Sequence, residues 1–211
     1  MKCVIAGATG LTGKLLLDEL LKDTNVTSIT AVTRRSLPTQ DQKLKEVLVD
    51  FDQIESVVLN NADVAFCCLG TTIKKAGSQE VFFKIDHDYV IGFAKACLRA
   101  GIPKFILISA LGSNAQSQVF YNRIKGQTEE DLKNLNFSSL VIFQPSLLLG
   151  DRSERRPAEK AAQIFARATS SLFIGPLTKI KPLESSRLAQ KMKEVAFKET
   201  AKIQVIPNDQ I

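Results

Sequence analysis

Short apolar runs alternate with amphipathic stretches along the whole chain. The runs predict strands at 3–6, 28–33, 47–49, 64–69, 104–109, 139–143 and 202–206, and the amphipathic stretches predict helices at 11–22, 53–59, 78–100, 119–135, 158–171 and 185–199. Strands that alternate with helices favour a parallel sheet with helices on both faces. The pattern therefore predicts an α/β fold with a doubly wound parallel sheet. We expect one domain over residues 1–211, with a short C-terminal excursion that forms a small substrate-side lid at about 151–185.

A glycine-rich turn, GATGLTG, follows the first apolar run and leads into the first helix. The first turn of a helix has N–H groups without partners and a positive dipole end, so a pyrophosphate binds there if no side chain blocks it. We expect Gly7 to allow the sharp exit from the strand, Gly10 the close approach of phosphate, and Gly13 the packing of helix on strand. A glycine-rich turn without a ligand is the alternative. The predicted dinucleotide contacts here are Gly7, Thr9, Gly10, Leu11, Thr12 and Gly13.

The end of the second strand bears on the choice of cofactor. An acidic residue there binds the ribose of NAD, whereas arginine accommodates the 2′-phosphate of NADP. Arg34 and Arg35 occupy this end, which predicts NADP(H) over NAD(H), with solvated loop arginines as the alternative. Asp50 has two interpretations, an adenine contact or the cap of the next helix. The cofactor contacts predicted beyond the first turn are Arg34, Arg35, Asp50, Phe51, Leu69, Gly70, Thr71, Tyr121, Lys125 and Pro145.

A serine, a tyrosine and a lysine are the catalytic candidates. Tyr121 and Lys125 are four residues apart, which places them on one face of a helix. An ammonium close to a phenol favours the phenolate form, and a tyrosine so placed exchanges a proton with a carbonyl or alcohol oxygen while hydride passes to or from nicotinamide. Ser109, at the end of a strand, is expected to orient the same oxygen. The Tyr-x-x-x-Lys spacing alone is common, so the hypothesis depends on its position twelve residues after that serine.

These motifs together identify a family. The glycine turn, Ser109, the Tyr121 and Lys125 pair, and Gln144-Pro145 resemble the short-chain dehydrogenase/reductase superfamily, of the atypical or extended kind. The segments CLGTT at 68–72, DHDYV at 86–90 and LGDRSER at 149–155 are similar to its Tat-interacting-protein-like oxidoreductase group. The resemblance implies a Rossmann fold, NADP(H) binding and the catalytic roles given above.

Two positions depart from the pattern of this family. Many relatives carry an asparagine on the long helix, where this chain has Asp86, and relatives commonly read Arg-Pro-Gly where this chain has Gln144, Pro145 and Ser146. His87, which is the only histidine, is expected to be an inert surface residue. Arg152, Arg155 and Arg156 are expected to be solvated, or else to surround the substrate opening.

Composition restricts the other classes of function. The net charge is +6, but the basic residues are scattered and form no tract of the kind that binds nucleic acid. The four cysteines lie in apolar runs without partners that suggest a disulfide or a metal site, which indicates reduced thiols and a cytoplasmic protein. No apolar run reaches the roughly 18 residues of a membrane span.

The sequence therefore predicts an NADP(H)-dependent oxidoreductase that acts on a small carbonyl or alcohol. The alternative is an NADPH-binding regulatory or scaffold protein with little or no turnover, because the related group includes proteins discussed as interaction partners. A protein partner or a homo-oligomer is compatible with either function.

Overall fold

A parallel sheet forms the centre of the computed structural model, which describes residues 1–150 and 181–211. Within that part of the chain its strands are β1 (Lys2–Ala6), β2 (Ser28–Thr33), β3 (Leu44–Leu48), β4 (Val64–Cys67), β5 (Lys104–Ile108), β6 (Ser139–Gln144) and β9 (Ile203–Pro207). Their order in the sheet is β3-β2-β1-β4-β5-β6-β9. Two short strands, β7 (Leu148–Leu149) and β8 (Leu183–Glu184), pair beside it. All these pairings are parallel, as the alternating pattern predicted.

Helices cover both faces of the sheet. One apolar cluster packs α1 (Leu11–Lys22) and α6 (Ser185–Ala196) on one face, and a second packs α4 (Tyr89–Arg99) and α5 (Phe120–Asn134) on the other. Two short helices, α2 (Ile73–Ala76) and α3 (Gln79–Phe83), precede α4. The doubly wound α/β fold is thus confirmed. Among the described residues no helix has the length and apolar character needed to cross a bilayer.

The prediction of a single helix at 78–100 was wrong in one respect. The structure has α3, then a π-helical turn at Lys84–Asp88, then α4. Asp86 lies in this wider turn with none of its surface exposed. A π turn adds one residue to a helical turn, a change too small to alter the apolar periodicity from which the helix was predicted.

Two other sequence expectations differ from the structure, and three more fall outside the residues that it describes. The third strand begins at Leu44, earlier than the predicted 47–49, and the predicted helix at 53–59 is a 3-10 helix, Phe51–Ser56. Residues 151–180 are not among those described, so the predicted helix at 158–171, the three loop arginines and most of the proposed lid lie outside the described residues.

Candidate functional site

The glycine turn between β1 and α1 has no room for side chains at two positions. Gly7 has φ +86°, and a Cβ there would lie 2.5 Å from the backbone of Cys68. A Cβ on Gly13 would lie 2.1 Å from the carbonyl oxygen of Gly7. Gly10 is the N-cap of α1 and has no side chain, so it leaves the first N–H groups of α1 without a side-chain cap. A turn of this kind is compatible with a pyrophosphate, whose binding here stays a prediction.

The end of β2 presents two exposed arginines beside an aromatic ring. The guanidinium carbon of Arg34 lies 5.9 Å from the centroid of the Phe51 ring. The hydroxyl of Thr33 donates to the carbonyl of Arg35 at 2.8 Å, which fixes the turn after the strand. The carboxylate of Asp50 accepts the N–H of Asp52 at 3.0 Å. The structure therefore shows the helix cap, and the adenine contact of Asp50 stays a prediction.

A charged cluster lies next to this aromatic ring and was not anticipated from the sequence. Lys84 contacts the Asp52 carboxylate at 2.7 Å, and the hydroxyl of Tyr89 donates to the same carboxylate. The Lys84 and Tyr89 donors hold the pKa of Asp52 below its usual value. Tyr89 also packs against Phe51, with ring centroids 5.5 Å apart. The cluster therefore joins the π turn and α4 to the 3-10 helix beside Arg34.

The candidate catalytic tyrosine and lysine both lie on α5. The ring of Tyr121 packs on Phe82, with centroids 5.5 Å apart. Lys125 is buried, and its ammonium lies 2.7 Å from Oδ1 of Asp86. Burial is the largest single influence and acts to lower the pKa of Lys125, but the charge and hydrogen bond of Asp86, together with Tyr121 and Cys67, outweigh it and the pKa is raised. The other carboxylate oxygen of Asp86 accepts the N–H of Thr71 at 2.8 Å. Tyr121 and Lys125 therefore share a helix whose lysine reaches the loop after β4.

The third catalytic candidate, Ser109, lies at the end of β5 in a different set of contacts. Its hydroxyl donates to Oε1 of Glu129 at 2.5 Å, and its oxygen also contacts the Ser113 hydroxyl at 3.0 Å. The side-chain amide of Gln144 donates to both Glu129 oxygens at 3.0 Å. The proton of Ser109 is thus directed at Glu129, one helical turn after Lys125. Sequence reasoning missed Glu129 because an acidic residue four positions after a lysine is typical of an exposed helix face.

Pro145 connects the end of β6 to the loop after β5, and Ser146 connects it to the C-terminal part of the chain. The carbonyl of Pro145 accepts the N–H of Leu111 at 2.8 Å. The N–H of Ser146 donates to the side chain of Asn208 at 2.8 Å, and both residues donate to the carbonyl of Lys181, at 2.5 and 2.8 Å respectively. Asn208 is buried. No signal in the sequence distinguishes it from other polar residues near a chain end.

His87 was expected to be an inert surface residue, and its position on the surface was wrong. Only 15% of its side-chain surface is exposed. Its two ring nitrogens lie 2.8 Å from carboxylate oxygens of Asp88 and Asp131, and its ring stacks on Phe83 at 4.5 Å. His87 thus links the π turn to α5.

Comparisons with known proteins agree with this architecture. A family described as NAD(P)H-binding matches residues 7–169. The protein HTATIP2 of Rattus norvegicus is 37% identical over 166 residues, which are 76% of this chain and 68% of that protein. The mitochondrial protein fmp52 of Emericella nidulans is 35% identical over 179 residues, 78% of this chain and 74% of its own. The structure of MoeE5 with UDP-glucose and NAD covers 97% of this chain and 75% of MoeE5, with a TM-score of 0.73 and 16% identity, which shows a shared fold.

Proposed function

This chain belongs to the NAD(P)H-binding family, as its resemblance to short-chain dehydrogenases/reductases led us to expect, and we propose that it is an NADP(H)-dependent oxidoreductase for a small carbonyl or alcohol. The observation that carries this proposal is the buried ammonium of Lys125, which lies on the same helix as Tyr121 and beside the loop after β4. A buried cation one turn from a phenol is the arrangement that proton transfer to a carbonyl oxygen needs.

Each residue has its own role in the proposed reaction. The nicotinamide cofactor supplies or accepts the hydride when it is bound. Tyr121 transfers a proton between its phenolic oxygen and the substrate oxygen, and Lys125 stabilises the charge that develops there. Ser109 contributes to orienting the substrate only if its hydroxyl proton turns away from Glu129. We therefore rank Tyr121 and Lys125 above Ser109 in their expected effect on turnover.

The preference for NADP(H) is proposed on the basis of the exposed arginines after β2. Both arginines are exposed to solvent, and guanidinium groups bind phosphate through charge-assisted hydrogen bonds. Replacement of Arg34 and Arg35 by alanine is expected to weaken NADPH binding at least about 10-fold and to leave NADH binding nearly unchanged. Fluorescence titration with both nucleotides measures this. Arg99→Ala, which replaces an exposed arginine in the last turn of α4, is the matched control, and equal wild-type affinities for NADPH and NADH would contradict the assignment.

Turnover is tested with a panel of aldehydes, ketones and quinones while NADPH oxidation is followed. Tyr121→Phe is expected to lower kcat by about 100-fold or more and to leave the dissociation constant of NADPH within about two-fold of wild type. A Tyr121→Phe protein that reduces the same compound at the wild-type rate would refute the catalytic role of Tyr121.

One observation favours a second candidate function, that of an NADPH-binding regulator or scaffold. The Ser109 hydroxyl donates to Glu129, and the Lys125 ammonium is paired with Asp86, so two of the three catalytic candidates already have partners. A cellular activity that survives Tyr121→Phe but is lost in Arg34→Ala would favour this function. A protein partner or a homo-oligomer remains part of the proposal, and size-exclusion chromatography with light scattering tests the latter.

A cytoplasmic location is also proposed. The free thiols of Cys3, Cys67 and Cys97 are buried, which agrees with a reducing compartment. The fungal relative fmp52 carries the description mitochondrial. Imaging of a fluorescent fusion of the full-length protein distinguishes the two locations.

A further inference from the structure

The carboxylate of Glu129 joins the ends of two strands to helix α5. It accepts the hydroxyl of Ser109, at the end of β5, at 2.5 Å. It also accepts the side-chain amide of Gln144, at the end of β6, whose nitrogen lies 3.0 Å from each carboxylate oxygen. Ser109 and Glu129 are both buried. These hydrogen bonds are therefore protected from competition by water.

Both of these partners of the Glu129 carboxylate are neutral donors. Gln144 supplies hydrogen bonds but no charge, and the ammonium of Lys125, one helical turn before Glu129, lies 2.7 Å from Asp86. An ionised carboxylate has only acceptor sites, and burying it is costly unless hydrogen-bond donors surround it. The stability of the buried Glu129 carboxylate therefore depends on the hydroxyl proton of Ser109.

A second contact of Ser109 does not change the direction of its proton. The hydroxyl oxygen of Ser113 lies 3.0 Å from that of Ser109, but Ser113 donates its own proton to the carbonyl of Ala110 at 2.7 Å. As an acceptor of the Ser109 proton, Ser113 competes with a carboxylate, and a hydrogen bond to a charged group is about twice as strong as one between neutral groups. The proton of Ser109 is therefore held by Glu129, and the lone pairs of the Ser109 oxygen are left for another group.

We propose that Glu129 is a positioning residue that holds the proton of Ser109, so that Ser109 meets a substrate with an oxygen lone pair and selects a substrate that donates a hydrogen bond. An alcohol has such a donor, whereas a ketone or an aldehyde has none. The site is therefore set for the alcohol member of an alcohol and carbonyl pair. This inference rests on the proposed function, and it goes further in assigning which member of the substrate pair Ser109 binds.

A carbonyl substrate meets a penalty at Ser109 that an alcohol does not. Before Ser109 donates to a carbonyl oxygen, its proton has to leave Glu129. That exchange replaces a hydrogen bond to a charged acceptor by one to a neutral acceptor, and it leaves the buried carboxylate with one donor fewer. An alcohol donates to the Ser109 oxygen without disturbing Glu129. We therefore expect release of the Ser109 proton from Glu129 to strengthen carbonyl binding by about 10-fold.

Urea denaturation tests the contact itself, without nucleotide or substrate. Ser109→Ala is expected to lower the urea midpoint at least about twice as far in the wild-type background as in Glu129→Gln, because only Glu129 gives the lost hydrogen bond a charged acceptor. Thr128→Val removes the neighbouring hydroxyl of α5 and is the matched control, with equal losses expected in the two backgrounds. Equal losses for Ser109→Ala in the two backgrounds would overturn the proposal.

Binding of matched ketones and alcohols tests the selectivity. The ketones that the turnover panel finds to be reduced, beginning with cyclohexanone, are titrated into the protein with NADP+, and the matching alcohols into the protein with NADPH, so that neither complex turns over. Ser109→Ala is expected to weaken alcohol binding by about 3- to 10-fold and to leave ketone binding within about two-fold of wild type, because only the alcohol uses the Ser109 lone pair. Ketone binding that weakens more than alcohol binding would overturn the proposal.

Glu129→Gln gives the opposite result for the ketone. The new amide donates to the Ser109 oxygen and frees the Ser109 proton, so ketone binding should tighten by about 10-fold, and this gain should be absent in Ser109→Ala/Glu129→Gln. Unchanged or weaker ketone binding in a folded Glu129→Gln protein would overturn the proposal. If circular dichroism shows that Glu129→Gln is unfolded, the effect of Ser109→Ala on the two ligands decides the matter.

These measurements separate the inference from the proposed function. Failure to bind or oxidise NADPH, with unequal losses for Ser109→Ala in urea, would refute the proposed function and leave the hold of Glu129 on the Ser109 proton intact. NADPH-dependent turnover with equal losses would refute the role of Glu129 and leave the proposed function intact.

Discussion

Two glycines of the turn between β1 and α1 are expected to respond to substitution in opposite ways. In Gly13→Ala the new Cβ would begin 2.1 Å from the carbonyl oxygen of Gly7, whereas ordinary contact starts at 3.4 Å, so α1 and β1 must separate by about 1.3 Å (3.4 − 2.1). Overpacking of this kind costs about 1–3 kcal/mol. The higher helix propensity of alanine offsets up to about 1 kcal/mol of this cost. Because the clash is with backbone atoms, which no side-chain rotation relieves, the overpacking cost lies in the upper part of its range, about 2–3 kcal/mol, and we expect a net loss of about 1–2 kcal/mol in the free energy of unfolding.

Gly10→Asp should leave the fold intact but close the phosphate site. Gly10 has φ −77° and ψ 169°, a conformation open to any residue, and its Cβ would lie 3.3 Å from the Gly7 oxygen, which requires a shift of only a few tenths of an ångström. An aspartate at this position caps the free N–H groups of α1 and complements its dipole. The free energy of unfolding is expected to stay within about 0.5 kcal/mol of wild type or to rise. The same carboxylate repels a pyrophosphate, so NADPH affinity should fall at least about 10-fold.

Urea denaturation and NADPH fluorescence titration of the two variants separate packing from phosphate binding. For a chain of this size a loss of 1–2 kcal/mol corresponds to a fall in Tm of about 2–8 °C. Gly13→Ala with wild-type stability would refute the packing argument. Wild-type NADPH affinity in Gly10→Asp would refute the phosphate site, and with it the predicted position of the cofactor.

Three further predictions concern the contacts around the site. Gln144→Leu is expected to lower the free energy of unfolding by about 1–3 kcal/mol, because the buried Glu129 carboxylate loses its amide donor; urea denaturation measures this, and an unchanged midpoint would contradict it. His87→Ala and Asp131→Asn are expected to show a coupling of about 0.5–1 kcal/mol in a double-mutant cycle, and strict additivity would show that their contact contributes nothing. Burial raises the pKa of the Cys67 thiol from 9.0 to about 12, so above pH 9 the unfolded thiol ionises first and the folded state binds more protons. Stability should therefore fall as pH rises from 9 towards 12, by up to about 1.4 kcal/mol per unit for this group, and Cys67→Ala should reduce the slope in urea denaturation at several pH values.

The sheet and its main helices could be predicted because their signals are local. The apolar runs at β1, β2, β4, β5 and β6 and the amphipathic pattern of α1 and α5 are visible within a few residues of sequence, and the structure places these elements within a few residues of the predicted bounds. The glycine turn was predictable for the same reason, since strand, turn and helix follow one another directly. The family resemblance then gave the roles of Tyr121 and Lys125, which stay predictions.

The contacts that tune the site could not be predicted, because each depends on a partner from a distant segment. In the sequence, Glu129 is indistinguishable from the other polar residues of an amphipathic helix. Only the structure shows that Ser109 and Gln144 donate to it. His87 reads as a surface residue because Asp131 is 44 positions away. Periodicity identifies the buried face of an element, but it does not identify which buried polar groups meet.

The residues that depart from the family pattern are held by specific contacts, which argues against a site that has lost its constraints. Asp86 pairs with Lys125, Gln144 donates to both oxygens of Glu129, and Ser146 donates through both its N–H and its hydroxyl. Buried polar groups without partners cost about 1–3 kcal/mol each, so substitutions that accumulated without selection would be expected to leave such groups unsatisfied. Each departure instead supplies a donor or an acceptor that another part of the site uses. The arrangement therefore indicates a site whose polar groups are held in place, which both proposed functions require.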